Sequence, residues 1–371
     1  MRNILQQEIT QIVKETSKYY QQLLGFAPRR TKLEILTKGE WVDFCNRHNF
    51  DYNLEGVFLP RNLTAYLLQD SENLILNLFH EFFGHGLFCE YSKQGKLLEK
   101  LEKRLKRDEK REFGEKRFSL QELRDFRQQN LIFRHLQQER ERGLNLYETF
   151  AIWTEHYLSG LFGMTGRFKR KDTDISNGTR ENLEKLLNFQ KKFGEFALFY
   201  EAGMPKYYDI KKIRLLLEEI FKEKSKDSKL ILLYGSRKPY SDIDLLVVSK
   251  GIENFSNEWL DIYSVTPEQF EYSVSVFDVS ITDPLLTGEL VLGNKDYLEQ
   301  KRKQLQEQPI TKEAIYYNLI KSKQQRILGR EYQRNSNEYK KGLSYSETYR
   351  RNTLLLSQGK RKLTRNLLIQ L

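Results

Sequence analysis

Residues 229–248 read KLILLYGSRKPYSDIDLLVV, and their alternation of apolar runs and a turn indicates the fold class of the second half of the chain. One apolar run ends at Tyr234, a Gly–Ser pair follows, and another apolar run begins around Asp242 and Asp244. The pattern predicts a strand, a tight turn and a second strand. Because side chains alternate along a strand, we expect Asp242 and Asp244 on one face, where both carboxylates can reach a common ion.

The turn between these strands has the composition of a phosphate-binding loop. Gly235 and Ser236 let backbone N–H groups and a hydroxyl approach a phosphate closely. Arg237 and Lys238 are candidates for binding a triphosphate, with a solvent-facing role as the alternative. Carboxylates beside such a turn indicate Mg²⁺ and nucleotide phosphate chemistry, since Mg²⁺ is typically held by a few carboxylates and substrate oxygens.

The turn and the aspartate pair together resemble the GS…DxD motif of the polymerase β-like nucleotidyltransferases, particularly their minimal members, over residues 211–298. That family uses a third carboxylate on a neighbouring strand, for which Asp261 is our choice and Asp278 the alternative. The resemblance implies transfer of NMP from a nucleoside triphosphate to a hydroxyl of a protein, an RNA end or a small molecule. Asp242 and Asp244 would bind two Mg²⁺ ions. Asp261 would complete the site and help to deprotonate the hydroxyl.

The first half of the chain contains a second polar motif within an apolar segment. Residues 78–86 read LFHEFFGHG, so His80, Glu81 and His85 form an HExxxH string, one residue longer than HExxH. On a regular helix, a spacing of five residues places the second imidazole roughly 140° round from the first. A π-bulge absorbs the extra residue and restores a common face, so we predict one near Phe83–Gly84.

HEFFGHG resembles the HExxGH motif of zinc peptidases of the dipeptidyl peptidase III type, which are gluzincin-like. Their third ligand is a glutamate in a later EExxAE motif, and YETFAI at 147–152 is similar, with Glu148 at the ligand position. Tyr147 and Ile152 replace the flanking glutamates. The resemblance implies that His80, His85 and Glu148 hold zinc.

Two imidazoles and one carboxylate leave the fourth zinc position for water, and Glu81 would act as the general base in peptide hydrolysis. Glu90, Glu155 and His156 are alternative third ligands. Glu155 lies seven residues after Glu148 on the same helical face, so it could instead orient a histidine. A purely structural zinc site is a further alternative.

The composition of the chain indicates a folded protein of two or three domains, with 371 residues, 39% of them hydrophobic. Its two cysteines, Cys45 and Cys89, are too few for a disulfide scaffold and favour a reducing compartment. The N-terminal stretch lacks the apolar core of a signal peptide, and the longest apolar run, Leu74 to Cys89, is too short and polar to span a bilayer. We expect a cytoplasmic protein that does not interact with membranes.

Positive charge is concentrated at the C-terminal end. The formal net charge is +11, and residues 298–371 contain 17 Lys and Arg against 6 Asp and Glu, with six tyrosines interspersed. Such a region predicts contact with nucleic acid or another polyanion. A solvated helical face is the alternative.

The sequence therefore predicts an α+β multidomain protein. We expect a mainly helical, zincin-like metallopeptidase domain (1–165), a helical connector (166–210), an α/β nucleotidyltransferase domain with a small mixed sheet (211–298) and a helical basic region (299–371). We predict a bifunctional protein. Its nucleotidyltransferase would use magnesium and a nucleoside triphosphate, and its peptidase-like site would use zinc and a peptide substrate. The alternatives are a non-catalytic nucleotide-binding module of the toxin–antitoxin kind and an RNA-modifying nucleotidyltransferase with a structural zinc site.

Overall fold

The computed structural model describes residues 2–48, 50–114, 120–164, 177–206, 208–334, 336–361 and 364. The chain divides into two compact units, Met1–Tyr207 and Tyr208–Leu371. Both are mainly helical and each contains one small mixed sheet, which confirms the α+β class. Residues 166–176 and 207 of the predicted connector lie outside the described residues.

The first unit places a three-stranded sheet among helices. Its elements are α1 (Arg2–Leu24), β1 (Lys32–Leu36), α2 (Lys38–His48), β2 (Gly56–Leu59), β3 (Thr64–Leu68), α3 (Leu74–Asn77), a π-helix (Leu78–His85), α4 (Gly86–Tyr91), α5 (Lys93–Phe113), α6 (Leu120–Gln129), α7 (Leu131–Leu161) and α8 (Asn177–Glu201). The strand order is β1-β3-β2, with β1 parallel and β2 antiparallel to β3. Within α8, Gly194 has a φ of 83° and kinks the helix.

The helix α3 begins at Leu74, after Asn73. Just before it, Ser71 Oγ donates to Glu55 and accepts from the Asn73 N–H. These contacts stabilise a turn at Ser71.

Aromatic side chains from the π-helix, α7 and α8 form the core of the first unit. Phe83, Phe150, Trp153 and Phe199 are fully buried and belong to one apolar cluster. Burying a side chain of this size contributes about 1.5–3 kcal/mol. The cluster packs the π-helix against α7, the two elements that carry the predicted zinc ligands.

The second unit is built on a five-stranded sheet. Its elements are α9 (Ile210–Phe221), a 3₁₀ turn (Lys222–Ser225), β4 (Leu230–Tyr234), β5 (Ile243–Val248), β6 (Phe255–Ser256), β7 (Leu260–Val265), α10 (Pro267–Ser275), α11 (Val279–Thr287), β8 (Glu289–Gly293), α12 (Lys295–Glu307), α13 (Lys312–Arg330) and α14 (Asn337–Ser357). The order is β6-β7-β5-β4-β8, in which β5 and β7 are parallel and the other pairs are antiparallel.

The helices after residue 298 share the core of this sheet. Leu305, Ala314 and Leu356, from α12, α13 and α14, are buried in the same apolar cluster as Leu232 and Leu246 of the sheet. The basic residues of this region therefore lie on helices that are packed into the second unit.

One buried carboxylate connects three helices of the second unit. Asp278 precedes α11 and caps it, accepting from the Ser280 N–H at 3.0 Å. Its oxygens also accept from the hydroxyls of Tyr317 on α13 and Tyr349 on α14, each at 2.5 Å. Because charged acceptors make the stronger hydrogen bonds, this contact fixes α13 and α14 to the start of α11.

Within the described part of the chain, none of the helices combines the length and the apolarity needed to cross a bilayer.

We predict that Asp278→Ala lowers the free energy of unfolding of the second unit by about 3 kcal/mol, because two tyrosine hydroxyls lose their charged acceptor. Peptide-resolved hydrogen exchange at increasing urea concentrations measures this for α11, α13 and α14. The control, Asp227→Ala, changes an exposed aspartate and should alter stability by less than about 0.5 kcal/mol. Equal effects of the two substitutions would contradict the assigned role of Asp278.

Candidate metal centres

Backbone register aligns polar residues from four strands of the larger sheet. Asp244 on β5 lies opposite Tyr234 on β4 and opposite Asp261 on β7. Asp261 in turn lies opposite Ser256 on β6. Residues directly opposite each other on neighbouring strands point to the same face of a sheet. The four side chains therefore form one row across one face.

Three aspartates gather at this row. Asp242, directly before β5, joins Asp244 and Asp261, and one carboxylate oxygen from each residue lies within 4.8 Å of the others. All three are half-buried. Three carboxylates at this spacing fit a hard cation such as Mg²⁺. Asp278, the alternative third carboxylate, caps α11 instead and does not belong to this group.

The electrostatics of the cluster favour a cation. Burial raises the pKa of Asp261, and the neighbouring Asp242 carboxylate raises it further. A hydrogen bond from Ser256 and the charge of Lys341 act in the opposite direction. A divalent cation among the carboxylates would offset both the burial and the repulsion, because it stabilises the ionised form.

Gly235 gives the turn after β4 its shape. Its φ is 75°, a left-handed conformation that residues with a side chain rarely adopt. A Cβ at this position would lie 2.0 Å from Oδ2 of Asp244. The glycine is thus required for the turn and for the position of the Asp244 carboxylate.

Two hydroxyl groups hold the loop that joins the Gly235–Ser236 turn to the aspartates. Ser241 Oγ donates to the carbonyl of Ser236 at 2.5 Å and lies 2.9 Å from the carbonyl of Lys238. Tyr208 Oη lies 2.8 Å from the carbonyl of Asp242. Burial raises the pKa of Tyr208 to about 12, and the charges of Asp244 and Asp242 contribute, so the phenol keeps its proton. The loop is therefore organised before any ligand binds.

The two cations of the turn differ in their surroundings. Arg237 Nη1 donates to Glu289 Oε2 on β8 at 2.7 Å, in an exposed ion pair. Lys238 is exposed. Because exposed ion pairs contribute little, Arg237 can exchange Glu289 for a phosphate at small cost.

In the first unit, residues Leu78–His85 form a π-helix, which confirms the predicted bulge and extends it. The imidazole rings of His80 and His85 have centroids 4.7 Å apart and are nearly perpendicular. The wider helical turn therefore brings both histidines to one face, as the spacing of five residues requires.

Glu148 on α7 completes a set of three possible ligands. Its Oε2 lies 3.7 Å from Nε2 of His80 and 3.6 Å from Nε2 of His85. Zinc–ligand bonds of 2.0–2.1 Å in a tetrahedron set distances of about 3.4 Å between ligand atoms. Both histidine side chains are 5% exposed, whereas that of Glu148 is 36% exposed. The donor set fits zinc and is accessible from the Glu148 side.

Glu155, an alternative ligand from the sequence, takes a different position. Its fully buried carboxylate accepts from Nδ1 of His80 at 3.0 Å. A proton on Nδ1 leaves Nε2 of His80 available to a metal, as in carboxylate–histidine–zinc arrangements. The Glu155 carboxylate therefore fixes the orientation of the His80 ring and is not itself one of the three grouped ligands.

Glu81 lies beside the ligand atoms. Its Oε2 is 4.0 Å from Nε2 of His85, and its side chain is largely buried. Gly56 on β2 leaves room for this side chain, since a Cβ there would lie 3.0 Å from Cγ of Glu81. The carboxylate is near enough to act on a molecule at the site.

The contact between the π-helix and α7 depends on two small residues. A Cβ on Gly84 would lie 2.6 Å from Cα of Ala151. From the sequence, we assigned Gly84 to the distorted turn, and the structure adds the close contact between helices. Ala151 is one turn after Glu148, so this contact brings Glu148 to the two histidines.

The remaining candidates lie apart from the ligand set. The Glu90 carboxylate accepts from the backbone N–H groups of Arg29, Arg30 and Thr31 at 3.0–3.1 Å. His156 is exposed on α7. Among the described residues of the first unit, only His80, His85 and Glu148 form a group of three possible metal ligands whose ligand atoms lie within 4.8 Å of one another.

Two tyrosines that the sequence did not assign to the sites support them. The Tyr147 ring stacks on His85, with centroids 3.9 Å apart and planes at 20°. Burial raises the pKa of Tyr147, so it remains neutral beside Glu81 and Glu148. Tyr208 holds the aspartate loop. A sequence signal existed for Tyr147, because it stands where the peptidase motif has a glutamate. No local sequence pattern distinguishes Tyr208.

Comparison with known proteins adds little. No family model and no curated protein matches the chain. A crystal structure of a nucleotidyltransferase-like protein from Exiguobacterium sibiricum 255-15 is similar to 40% of this chain, with 16% identity and a TM-score of 0.25. The match covers 59% of that protein. At this level of similarity the functions of both centres must be inferred from their own geometry, and the resemblance to zinc peptidases stays a prediction.

We predict that Gly235→Ala lowers the affinity of the aspartate cluster for Mn²⁺, a probe for Mg²⁺, at least about tenfold. The added Cβ would displace the Asp244 carboxylate, and the left-handed turn costs about 1–2 kcal/mol for alanine. Electron paramagnetic resonance titration measures free Mn²⁺. The control is Gly251→Ala, which meets nothing within 4 Å. An unchanged affinity in Gly235→Ala would show that Asp244 does not bind the ion.

We predict that Gly84→Ala separates the π-helix from α7 and destabilises the first unit by about 1–3 kcal/mol through overpacking. The loss of zinc affinity should exceed that expected from unfolding alone, because Glu148 moves away from the histidines. Competition with a fluorescent chelator measures zinc affinity, and hydrogen exchange measures stability. Gly160→Ala on α7, where a Cβ meets nothing within 4 Å, should change neither quantity.

Proposed function

We propose that the second unit is a magnesium-dependent nucleotidyltransferase. One observation carries this proposal: the carboxylates of Asp242, Asp244 and Asp261 lie within 4.8 Å of one another, beside the Gly235–Ser236 turn. A cation site adjacent to an exposed Gly–Ser turn suits a ligand that combines metal affinity with phosphate groups.

The three aspartates would hold Mg²⁺, which on binding neutralises phosphate charge and orients the triphosphate. The Gly235–Ser236 turn would bind phosphate oxygens through its N–H groups and hydroxyl, with Arg237 and Lys238 adding positive charge. The loop anchors Ser241 and Tyr208 keep the turn and the aspartates at a constant distance.

In the proposed reaction, the oxygen of an acceptor hydroxyl attacks the α-phosphorus of the nucleoside triphosphate. The bond from that phosphorus to the bridging oxygen of the β-phosphate breaks, and pyrophosphate leaves in line. Asp261 would receive the proton of the hydroxyl, since its carboxylate belongs to the cluster that would hold the metal and the triphosphate.

The test uses α-labelled ATP, CTP, GTP and UTP with the full chain, magnesium and candidate acceptors. We expect one nucleotide to transfer its label and release pyrophosphate, and Asp242→Asn with Asp244→Asn to reduce the rate at least about a thousandfold. Asp227→Asn, an exposed control, should retain the rate. Magnesium-dependent nucleotide binding without transfer or pyrophosphate release would instead support a non-catalytic nucleotide-binding module.

A second candidate function is favoured by the centre in the first unit. We propose that His80, His85 and Glu148 bind zinc in a hydrolase of the metallopeptidase kind. Zinc, when bound there, polarises a carbonyl and makes water more acidic. Glu81 would take a proton from the attacking water. Glu155 would orient His80, and Tyr147 would restrict the orientation of the His85 ring.

Metal analysis and a fluorogenic peptide library test this second function. We expect about one zinc per chain, lost in His80→Ala and Glu148→Ala but retained in His156→Ala, a control on the same helix as Glu148. Glu81→Gln should retain zinc and abolish peptide hydrolysis. Zinc without hydrolysis in the wild-type protein would indicate a structural site, and absence of zinc would contradict both forms of the proposal.

A further inference from the structure

A pocket of about 600 Å³ opens on the same face of the second unit as the aspartate row. Tyr234, Ser256 and Asp261, three of the four residues of that row, line it. Asp242, Asp244 and the Gly235–Ser236 turn do not. The pocket is therefore adjacent to the phosphate and metal site and shares one carboxylate with it.

The opposite wall of the pocket is formed by the α13–α14 pair. Lys321 and Gln325 from α13 and Tyr345, Thr348 and Tyr349 from α14 line it. The basic C-terminal region thus contributes its inner side to a pocket of the second unit.

This wall is held rigidly. The two helices cross where a Cβ on Gly342 would lie 2.5 Å from Cα of Gly329. Asn352 on α14 donates to the side chain of Asn318 on α13 at 3.0 Å and to the carbonyl of Phe277 at 3.1 Å. With the tyrosine contacts to Asp278, these buried bonds fix both helices to the segment before α11. The pocket is therefore preformed, as small-molecule sites usually are.

The lining is acidic and aromatic. Asp261, Asp278 and Asp283 line it, against one ammonium group from Lys321. The Asp278 carboxylate is buried and hydrogen-bonded to Tyr317 and Tyr349, so its negative charge acts from within the wall. If a metal ion neutralises Asp261, the charges of Asp278 and Asp283 still exceed that of Lys321. A polyanion such as RNA is disfavoured in such a pocket, whereas neutral and cationic groups are accepted. The other lining groups are hydroxyls, amides and rings that suit a polar compound with a flat or apolar face.

The volume also limits the occupant. Pockets of about 300–1,000 Å³ typically enclose one small molecule. A folded protein or an RNA helix is too large to enter such a pocket, and only a protruding side chain or chain end of it could bring a hydroxyl to Asp261.

We propose that this pocket binds the acceptor of the nucleotidyl transfer, and that the acceptor is a small, neutral or positively charged hydroxyl compound. The inference rests on the proposed nucleotidyltransferase activity. The acceptor hydroxyl reaches the α-phosphorus from the Asp261 side. Its oxygen forms the new bond to the α-phosphorus, and the bond from that phosphorus to the bridging oxygen of the β-phosphate breaks. Pyrophosphate leaves towards the Gly235–Ser236 turn, and the Asp261 carboxylate takes the hydroxyl proton.

The variant pair Gln325→Trp and Gln324→Trp tests the pocket. Both substitutions place a tryptophan on α13, but only Gln325 lines the pocket, and Gln324 is exposed. Each protein receives labelled nucleoside triphosphate and magnesium, with either the dialysable or the non-dialysable fraction of a cell extract as the acceptor pool. Magnesium-dependent binding of a non-hydrolysable triphosphate analogue is measured in parallel, to show that the fold and the nucleotide site are intact.

We expect label in a dialysable product, with the rate reduced at least about tenfold in Gln325→Trp and less than about twofold in Gln324→Trp. Analogue binding should be the same in both variants. After phosphodiesterase treatment, the released acceptor should bind to a cation exchanger or to neither exchanger.

Three results would overturn the inference. Label in RNA or protein would show a macromolecular acceptor, and a released acceptor that binds an anion exchanger would contradict the charge argument. An equal rate in the two tryptophan variants would show that the acceptor binds elsewhere. These results leave the nucleotidyltransferase proposal intact, whereas absence of pyrophosphate release with both pools would remove that proposal and the inference together.

Discussion

The carboxylate of Asp244 lies so close to the backbone of Gly235 that no side-chain carbon would fit between them. This contact places the aspartate end of β5 directly against the Gly235–Ser236 turn after β4. The register across β5 and β7 then brings Asp261 alongside. The proposed nucleotide site needs cation and phosphate ligands within a few ångströms, and this glycine makes that distance possible.

The same constraint operates in the first unit. Gly84 and Ala151 let the π-helix and α7 approach until a Cβ would overlap the opposite backbone. Glu148 then reaches the Nε2 atoms of His80 and His85, and Glu155, two turns further along α7, reaches Nδ1 of His80. Both centres therefore combine residues from neighbouring elements at a place where a small residue removes the steric barrier.

Buried polar contacts determine the role of the C-terminal helices. Charge alone suggested that residues 298–371 bind a polyanion. In the structure, Asp278 and the Asn318–Asn352 pair hold α13 and α14 against the segment before α11, and residues on the inner side of these helices line a pocket that also contains aspartates. The pocket that α13 and α14 line is acidic, whereas the solvent-exposed side of these helices is basic. The net charge of residues 298–371 therefore does not describe the charge of the pocket.

Local patterns in the sequence pointed to part of both candidate centres, whereas Glu148 and Asp261 were predicted from resemblance to known families. Alternation along the strand predicted that Asp242 and Asp244 share one face, close to a Gly–Ser turn. The spacing of five residues between His80 and His85 predicted a π-bulge, because imidazoles at this spacing on a regular helix would diverge. Short elements with weak periodicity, such as α2 and β3, were missed. Only the tertiary structure decided that Asp261 rather than Asp278 joins the aspartates, that Glu155 orients a histidine, and that Tyr147 and Tyr208 support the sites. These outcomes depend on strand register and on contacts between residues far apart in the chain, which no local spacing encodes.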